Sequence, residues 1–163
     1  MRTIIGVMGG AVASDAVMTH ASRLGELIAE HDWVLLTGGR NAGIMAAASR
    51  GAAEVGGLVV GVLPGDTTQG ASPHLDIAIP TGMGDARNVI NVLASNVVIA
   101  LPGGAGTISE VALALKSGRR VVTVGFALGD SFGKYYASGA LSDATTPEAA
   151  IAIVERLLAD ERR

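Results

Sequence analysis

Two charged side chains beside glycine-rich segments, Arg87 and Glu110, could do chemistry on an anionic ligand. Glu110 ends the segment PGGAGTISE (residues 102–110), and Arg87 lies in TGMGDARN (residues 81–88), where Asp85 is expected to cap a helix. A carboxylate beside a ligand can act as a general base toward water. An arginine can hold a phosphate, or orient a carboxylate, through bidentate hydrogen bonds. We predict that both side chains face one pocket, where they act in catalysis or form only a structural ion pair.

The positions of the glycines also indicate a ligand site. Glycines follow each of the first five apolar runs, and the PGGAGT segment places three of them, with a threonine hydroxyl, before a helix. Glycine lets backbone N–H groups approach an anion closely, and a helix N-terminus adds a favourable dipole. Tight turns would explain one such loop, but several loops at one sheet edge favour a ligand site. The residues that we expect to bind the ligand are Gly9, Gly10, Gly38, Gly39, Arg40, Met83, Gly103, Gly104, Ala105, Gly106 and Thr107.

The other reactive residue types form no catalytic or metal-binding pattern in the sequence. The chain has no cysteine, which excludes disulfides, thiolate metal sites and cysteine nucleophiles. No cluster of His, Asp or Glu has the spacing of metal ligands, so we predict no metal site. Ser14 and Ser109 lack a paired histidine, which leaves a hydrolase triad unsupported. Ser14 is expected to cap a helix instead.

Apolar runs alternate with helical patterns, and these elements must position the loops. Strands that are apolar throughout are covered on both faces, and strand–helix alternation implies right-handed crossovers. We therefore predict a single α/β domain over residues 1–163, a three-layer αβα sandwich with a mainly parallel six- to seven-stranded sheet. Residues 126–140 are the least regular part and are expected to form a mobile loop that serves as a lid or an interface. The predicted strands are 3–7, 33–36, 58–62, 75–79, 97–101 and 120–124, and the predicted helices include 44–55, 86–94 and 106–116.

The composition excludes several classes of partner. The formal net charge is −3 and aromatic residues make up 3%, whereas nucleic-acid-binding surfaces carry clustered basic or aromatic residues. The longest apolar stretches, such as residues 97–101, are far shorter than the roughly 20 residues of a membrane-spanning helix. The N-terminal sequence MRTIIGVMGG lacks the apolar core of a signal peptide. We expect a cytoplasmic protein that binds neither nucleic acid nor membrane.

Several motifs resemble those of a known family. PGGAGTISE is similar to the PGGxGTxxE signature of the LONELY GUY (LOG) family, which belongs to a Rossmann-type superfamily whose members are often labelled "possible lysine decarboxylase". TGGRNAGIM, residues 37–45, resembles the second glycine motif of that family. GGLVVGVLPG and TGMGDARNVINVLASNVVIALPGG look closer to its molybdenum cofactor carrier protein-like branch. The resemblance covers nearly the whole chain and implies a Rossmann-like fold.

The resemblance to LOG enzymes implies a reaction. In those enzymes the signature glutamate and an upstream arginine serve hydrolysis of the N-glycosidic bond in nucleoside 5′-monophosphates. Glu110 and Arg87 stand at the matching positions, and the phosphate would sit on residues 103–107. Glu110 would deprotonate the attacking water or stabilise developing charge on the ribose, and the products would be a free base and ribose 5-phosphate. The resemblance also implies a homodimer or homotetramer.

Two departures from the LOG pattern favour the carrier-like branch. Asn88 stands where LOG enzymes usually have lysine, and Arg-Asn-Ala at 40–42 replaces small residues. That branch implies binding of a molybdopterin-type phosphate ligand. We therefore predict a protein that requires no cofactor and binds a phosphate-bearing ligand, either an AMP-like nucleotide or the molybdenum cofactor.

Two alternatives remain open at this point. The first is the phosphoribohydrolase described above, and the second is a non-enzymatic nucleotide sensor that signals through residues 126–140. A pyridoxal-phosphate lysine decarboxylase is not predicted, because that chemistry needs a Schiff-base lysine. Both lysines of the chain, Lys116 and Lys134, are expected away from the ligand edge.

Overall fold

The computed structural model describes residues 1–160, which form seven strands and six α-helices. Two short 3₁₀ helices complete the fold, Gly84–Arg87 and Asp130–Phe132. The strands are β1 (Ile4–Met8), β2 (Val34–Thr37), β3 (Val59–Leu63), β4 (Ile77–Pro80), β5 (Val97–Ala100), β6 (Arg120–Val124) and β7 (Leu141–Ala144). The helices are α1 (Asp15–Glu30), α2 (Gly43–Glu54), α3 (Asn88–Ala94), α4 (Ala105–Lys116), α5 (Gly133–Ala137) and α6 (Pro147–Asp160).

The strands form one parallel sheet in the order β4-β3-β2-β1-β5-β6-β7. The chain moves outward from β1 to β4 and then returns to place β5 on the other side of β1. The direction of winding therefore reverses between β1 and β5. In α/β sheets such a reversal opens a crevice outside the carboxyl ends of the strands. The predicted Rossmann-like parallel sandwich is confirmed, with seven strands.

Helices cover both faces of the sheet. Helices α1, α2 and α6 pack on one face, and α3 and α4 on the other. Helix α1 lies directly against α2 because glycines let the two backbones touch. A Cβ atom at Gly25 would collide with the carbonyl of Ala48, and one at Gly51 would collide with that of Ser22. This close contact fixes the position of α2 relative to α1.

Strand β4 differs from the central strands because it lies at an edge of the sheet. Its isoleucines Ile77 and Ile79 are 46% and 42% exposed. The strand was predicted to begin at residue 75, and the structure begins it at Ile77. The two residues before it contact β3 instead. Leu75 packs over Gly61, and the Asp76 carboxylate accepts a hydrogen bond from the Val59 N–H at 2.8 Å.

The predicted helix at residues 86–94 is built differently. The chain first makes the 3₁₀ turn Gly84–Arg87 and becomes α-helical only at Asn88, and neither piece has a side-chain cap. The expectation that Asp85 caps this helix is therefore wrong. Asp85 lies inside the 3₁₀ turn, whose N-cap residue is Met83, so its side chain is not at a capping position. The predicted cap of α1 is confirmed, since Ser14 accepts a hydrogen bond from the Val17 N–H.

Residues 126–140 are only partly irregular. They contain Asp130–Phe132 and α5, and all four of their aromatic side chains pack on the apolar cluster that α3 and α4 cover. They lead into β7, which the sequence did not predict because Leu-Ser-Asp-Ala lacks a β-branched run. The strand forms because it pairs with β6. The carboxylate of Asp143 then accepts hydrogen bonds from the hydroxyls of Thr123 and Tyr136.

Candidate functional site

A cavity of about 210 Å³ lies at the point where β1 and β5 diverge. It is lined by the loops after β1, β2 and β5 and by the 3₁₀ turn that precedes α3. The sheet topology explains this position, because every loop that follows a parallel strand reaches the same edge. Nine of the predicted site residues line this cavity: Gly9, Gly10, Gly38, Arg40, Arg87, Gly104, Gly106, Thr107 and Glu110.

The start of α4 forms the floor of this cavity. Gly104 is its N-cap, and Cβ atoms built at Gly104 or Gly106 would meet nothing within 4 Å. The first N–H groups of a helix have no intrahelical acceptor, and the helix dipole favours an anion beside them. Gly103 is different, because a Cβ there would collide with the Thr107 side chain. The open space above Gly104 and Gly106 therefore suits an anionic group.

The loop after β1 connects this floor to the neighbouring strands. Its Gly10 donates a backbone hydrogen bond to the Pro102 carbonyl at 3.3 Å and accepts one from the Ile44 N–H at 3.1 Å. Gly43 has a φ of 48°, and a Cβ there would collide with the backbone of Gly10. The three loops are therefore held together by their own backbones before any ligand binds.

Arg87 and Glu110 form a buried ion pair in the wall of the cavity. Their side chains approach to 3.6 Å between Arg87 Nη1 and Glu110 Oε1, and the residues are only 9% and 6% exposed. Asn91 donates a hydrogen bond to Glu110 Oε1 at 3.0 Å, and Arg87 donates one to Asn88 Oδ1 at 2.7 Å. The Arg87 guanidinium fits because Gly38 has no side chain: a Cβ there would lie 2.8 Å from Nη2.

Burial shifts the pKa values of both members of this ion pair toward their neutral forms. Burial lowers the pKa of Arg87; the carboxylates of Glu110 and Asp85 oppose this shift, and the charge of Arg40 adds to it. Burial likewise raises the pKa of Glu110, against the hydrogen bond from Asn91 and the charge of Arg87. The buried Nε of Arg87 has no hydrogen-bond partner. The Arg87 guanidinium is therefore an incompletely hydrogen-bonded positive charge in the wall of the cavity.

Four predicted binding residues lie outside the lining of the cavity. Gly39 packs against Gly61 of β3, Gly103 packs against Thr107, and Met83 and Ala105 are exposed at neighbouring turns.

Sequence reasoning missed Asn91 and did not count Asp85 as a ligand-facing residue. Asp85 lines the cavity, and Asn91 donates to Glu110. Asn91 stands four residues after Arg87, and this helical spacing was the available signal.

Within residues 1–160, no group of three or more His, Cys, Asp or Glu side chains is placed to hold a metal ion. In the same part of the chain, no helix is both long and apolar enough to cross a membrane.

Comparison with known proteins places the chain in a family. A sequence profile of the SLOG cluster4 family matches residues 2–152. The chain belongs to this family. A relative of this SLOG cluster4 protein, an uncharacterized protein from Archaeoglobus fulgidus, is 47% identical over 120 residues, which cover 74% of this chain and 78% of the relative.

Two solved structures resemble this SLOG cluster4 protein over nearly its whole length. The molybdenum cofactor binding protein from the phototrophic bacterium Rippkaea orientalis is 44% identical, with a TM-score of 0.89 and coverage of 97% of this chain and 98% of that one. The molybdenum cofactor carrier protein from Chlamydomonas reinhardtii is 45% identical, with a TM-score of 0.87 and coverage of 98% and 99%. The predicted membership of the LOG-like superfamily, close to the carrier-like branch, is confirmed.

Proposed function

We propose that this protein binds a molybdopterin-type cofactor through its phosphate, which sits at the N-terminus of α4. One observation carries the proposal. Arg87, a positively charged residue, lines the same cavity as the open helix start at Gly104 and Gly106. A phosphate monoester would accept hydrogen bonds from the first amides of α4, beside the positive charge of the Arg87 guanidinium.

The relatives support the pterin-type ligand over other phosphate esters. The two solved structures that are 44% and 45% identical are of proteins named for binding or carrying the molybdenum cofactor. The residues of the cavity fit the anionic end of such a cofactor, and an AMP-like nucleotide carries the same phosphate monoester. The phosphate is therefore the shared feature, and the ring system is what distinguishes the two ligands.

The proposal is tested by titrating the protein with inorganic phosphate, AMP, GMP and molybdopterin while its thermal unfolding is followed. A ligand that binds only the folded state raises the melting midpoint by mass action. We expect molybdopterin to raise it most. The variant Gly104→Val fills the space above the helix start and should fold, because Gly104 has an extended backbone with nothing near its Cβ. If wild type responds to none of these compounds, or if Gly104→Val responds equally, the proposal is wrong.

A second candidate function is hydrolysis of the N-glycosidic bond of nucleoside 5′-monophosphates. The observation that favours it is Glu110, a buried carboxylate with a raised pKa in the same cavity as the phosphate seat. Asn91 and Arg87 both contact its Oε1 atom, so we assign the proton of the attacking water to Oε2. As the C1′–O bond forms and the C1′–N bond breaks, this proton passes to the leaving base.

Chromatography of AMP and GMP incubations tests this second function. We expect wild type to release free base. The variant Glu110→Gln should still bind AMP but should release no free base from it. Equal release by the two proteins would remove Glu110 from the mechanism, and no release by wild type would leave binding as the function.

We also propose that the protein is a homodimer or homotetramer. On the side of the sheet that carries α3, four large apolar side chains are between 41% and 47% exposed: Ile77, Ile79, Val89 and Leu93. A second copy of the chain would bury this surface. Sedimentation equilibrium should show a dimer or tetramer for wild type and a monomer for the double variant Val89→Asp, Leu93→Asp. A monomeric wild type would contradict the proposal.

A further inference from the structure

The cavity at the phosphate seat is too small for a whole cofactor. Its volume is about 210 Å³, whereas sites for ligands of that size usually measure roughly 300–1,000 Å³. A second cavity of about 450 Å³ lies beside it, and Arg40 lines both. The second cavity alone lies within the usual range, so a ligand seated on α4 can extend past Arg40 into it.

The backbone fixes the walls of this second cavity. Arg40 and Ala71 form an antiparallel bridge. The Asn41 N–H donates to the Gly70 carbonyl at 2.9 Å, and the Ser72 N–H donates to the Gly39 carbonyl at 2.8 Å. These bonds hold the segment after β3 against the loop after β2. The space between them is therefore a preformed feature.

The lining of the second cavity suits a flat heterocycle. Pro64 supplies an apolar surface, and the side-chain amides of Asn41 and Gln69 each carry a donor and an acceptor. Such amides pair in a bidentate way with the adjacent donors and acceptors on the edge of a purine, and a pterin carries a comparable edge. The guanidinium of Arg40 can stack on the ring face.

We propose that this second cavity, lined by Arg40, Asn41, Leu63, Pro64 and Gln69, binds the pterin or purine ring of the ligand. The inference rests on the proposed function, because it assumes that the phosphate occupies the start of α4. The part of the ligand that joins the phosphate to the ring then passes Arg40. Asn41 and Gln69 then form hydrogen bonds with the edge of the ring, while Gly104, Gly106 and Arg87 bind the phosphate.

The test separates the two parts of the ligand. Calorimetry compares 6-hydroxymethylpterin monophosphate, GMP and ribose 5-phosphate on wild type, Asn41→Ala, Gln69→Ala and the matched control Thr68→Ala, which lies in the same loop but outside the lining. We expect wild type to bind the ring-bearing phosphates more tightly than ribose 5-phosphate. Each amide variant should lose about three- to tenfold of that advantage, the value of one hydrogen bond, with unchanged affinity for ribose 5-phosphate.

The outcomes separate failure of this inference from failure of the proposed function. If the amide variants keep the full advantage of the ring, or if Thr68→Ala loses as much as they do, the ring binds elsewhere, and the phosphate seat still stands. If Gly104→Val binds ribose 5-phosphate as wild type does, the phosphate seat itself is wrong, and the ring subsite fails with it. A greater loss for the pterin than for GMP would identify the pterin as the ring recognised.

Discussion

Helices α2 and α4 both begin beside glycines at the carboxyl-terminal edge of the sheet, yet of the two only α4 has open space in front of its N-terminus. At α2, the Ile44 N–H is bonded to the Gly10 carbonyl, and Gly43 is pressed against the loop after β1. At α4, the space beyond Gly104 and Gly106 is open. A glycine-rich turn before a helix is therefore not an anion site in itself. What matters is whether the chain has already filled the space in front of the first amides.

The largest effect is expected on the free energy of unfolding, from a substitution at the start of α2, where the space is already filled. Gly43→Ala must hold a side chain at a positive φ and push it into the backbone of Gly10. We expect a loss of about 2–4 kcal/mol in the free energy of unfolding, combining left-handed strain with overpacking. Urea denaturation measures it. The matched control is Gly133→Ala in α5, whose Cβ would meet nothing within 4 Å; a similar loss in that variant would contradict the explanation.

The next effect is on phosphate affinity, to which both Arg87 and the first amides of α4 are expected to contribute. Arg87→Met removes the buried guanidinium while keeping much of its apolar volume. Affinity for ribose 5-phosphate should fall about 10- to 150-fold, the range for hydrogen bonds to a charged group. Calorimetry measures the change. Arg119→Met, which removes one positive charge outside the lining of the cavity, should bind as wild type does; an equal loss there would point to net charge instead of a direct contact.

A smaller effect is expected at the open helix start. Gly106→Ala adds a methyl group where nothing lies within 4 Å, and alanine in a helix is favoured over glycine by up to about 0.5–1 kcal/mol. The free energy of unfolding should rise while affinity for ribose 5-phosphate falls. Opposite movement of these two quantities is the signature of a position kept open for a ligand. A more stable variant with unchanged affinity would show that the phosphate does not approach this turn.

The smallest effect follows from the raised pKa of Glu110. Since burial raises it in the folded protein, the carboxyl group favours folding most at pH values below its unfolded pKa, about 4.3. That contribution is lost as pH rises through the folded pKa. The unfolding free energy of wild type relative to Glu110→Gln should therefore decrease from acid to neutral pH. Urea denaturation at several pH values measures the trend; a relative increase would mean that the ion pair outweighs burial.

Much of this arrangement could be predicted from local sequence. The parallel sheet, the loop that ends β5 and the start of α4 all follow from apolar runs and glycines. The expectation that Arg87 and Glu110 face one pocket agrees with the structure, which also pairs them. Arg87 directly precedes α3 and Glu110 lies in α4, and the packing of these two helices side by side brings the two side chains together.

The rest depends on contacts between distant segments. No local pattern distinguishes Gly103 from Gly104. The space where a Cβ atom of residue 103 would lie is filled by the Thr107 side chain, whereas the corresponding space at residue 104 is open. Asn91 acquires its partner only when α3 packs beside α4, and β7 exists only because β6 offers it an edge. The roles of such residues are set by tertiary packing, which propensity does not report.

The backbone bonds of Gly10 have a consequence for kinetics. Because they tie the loops after β1, β2 and β5 together in advance, a ligand need not order those loops when it arrives. Capture would then proceed at the rate set by encounter, and residence time would be governed by how fast the bound molecule escapes.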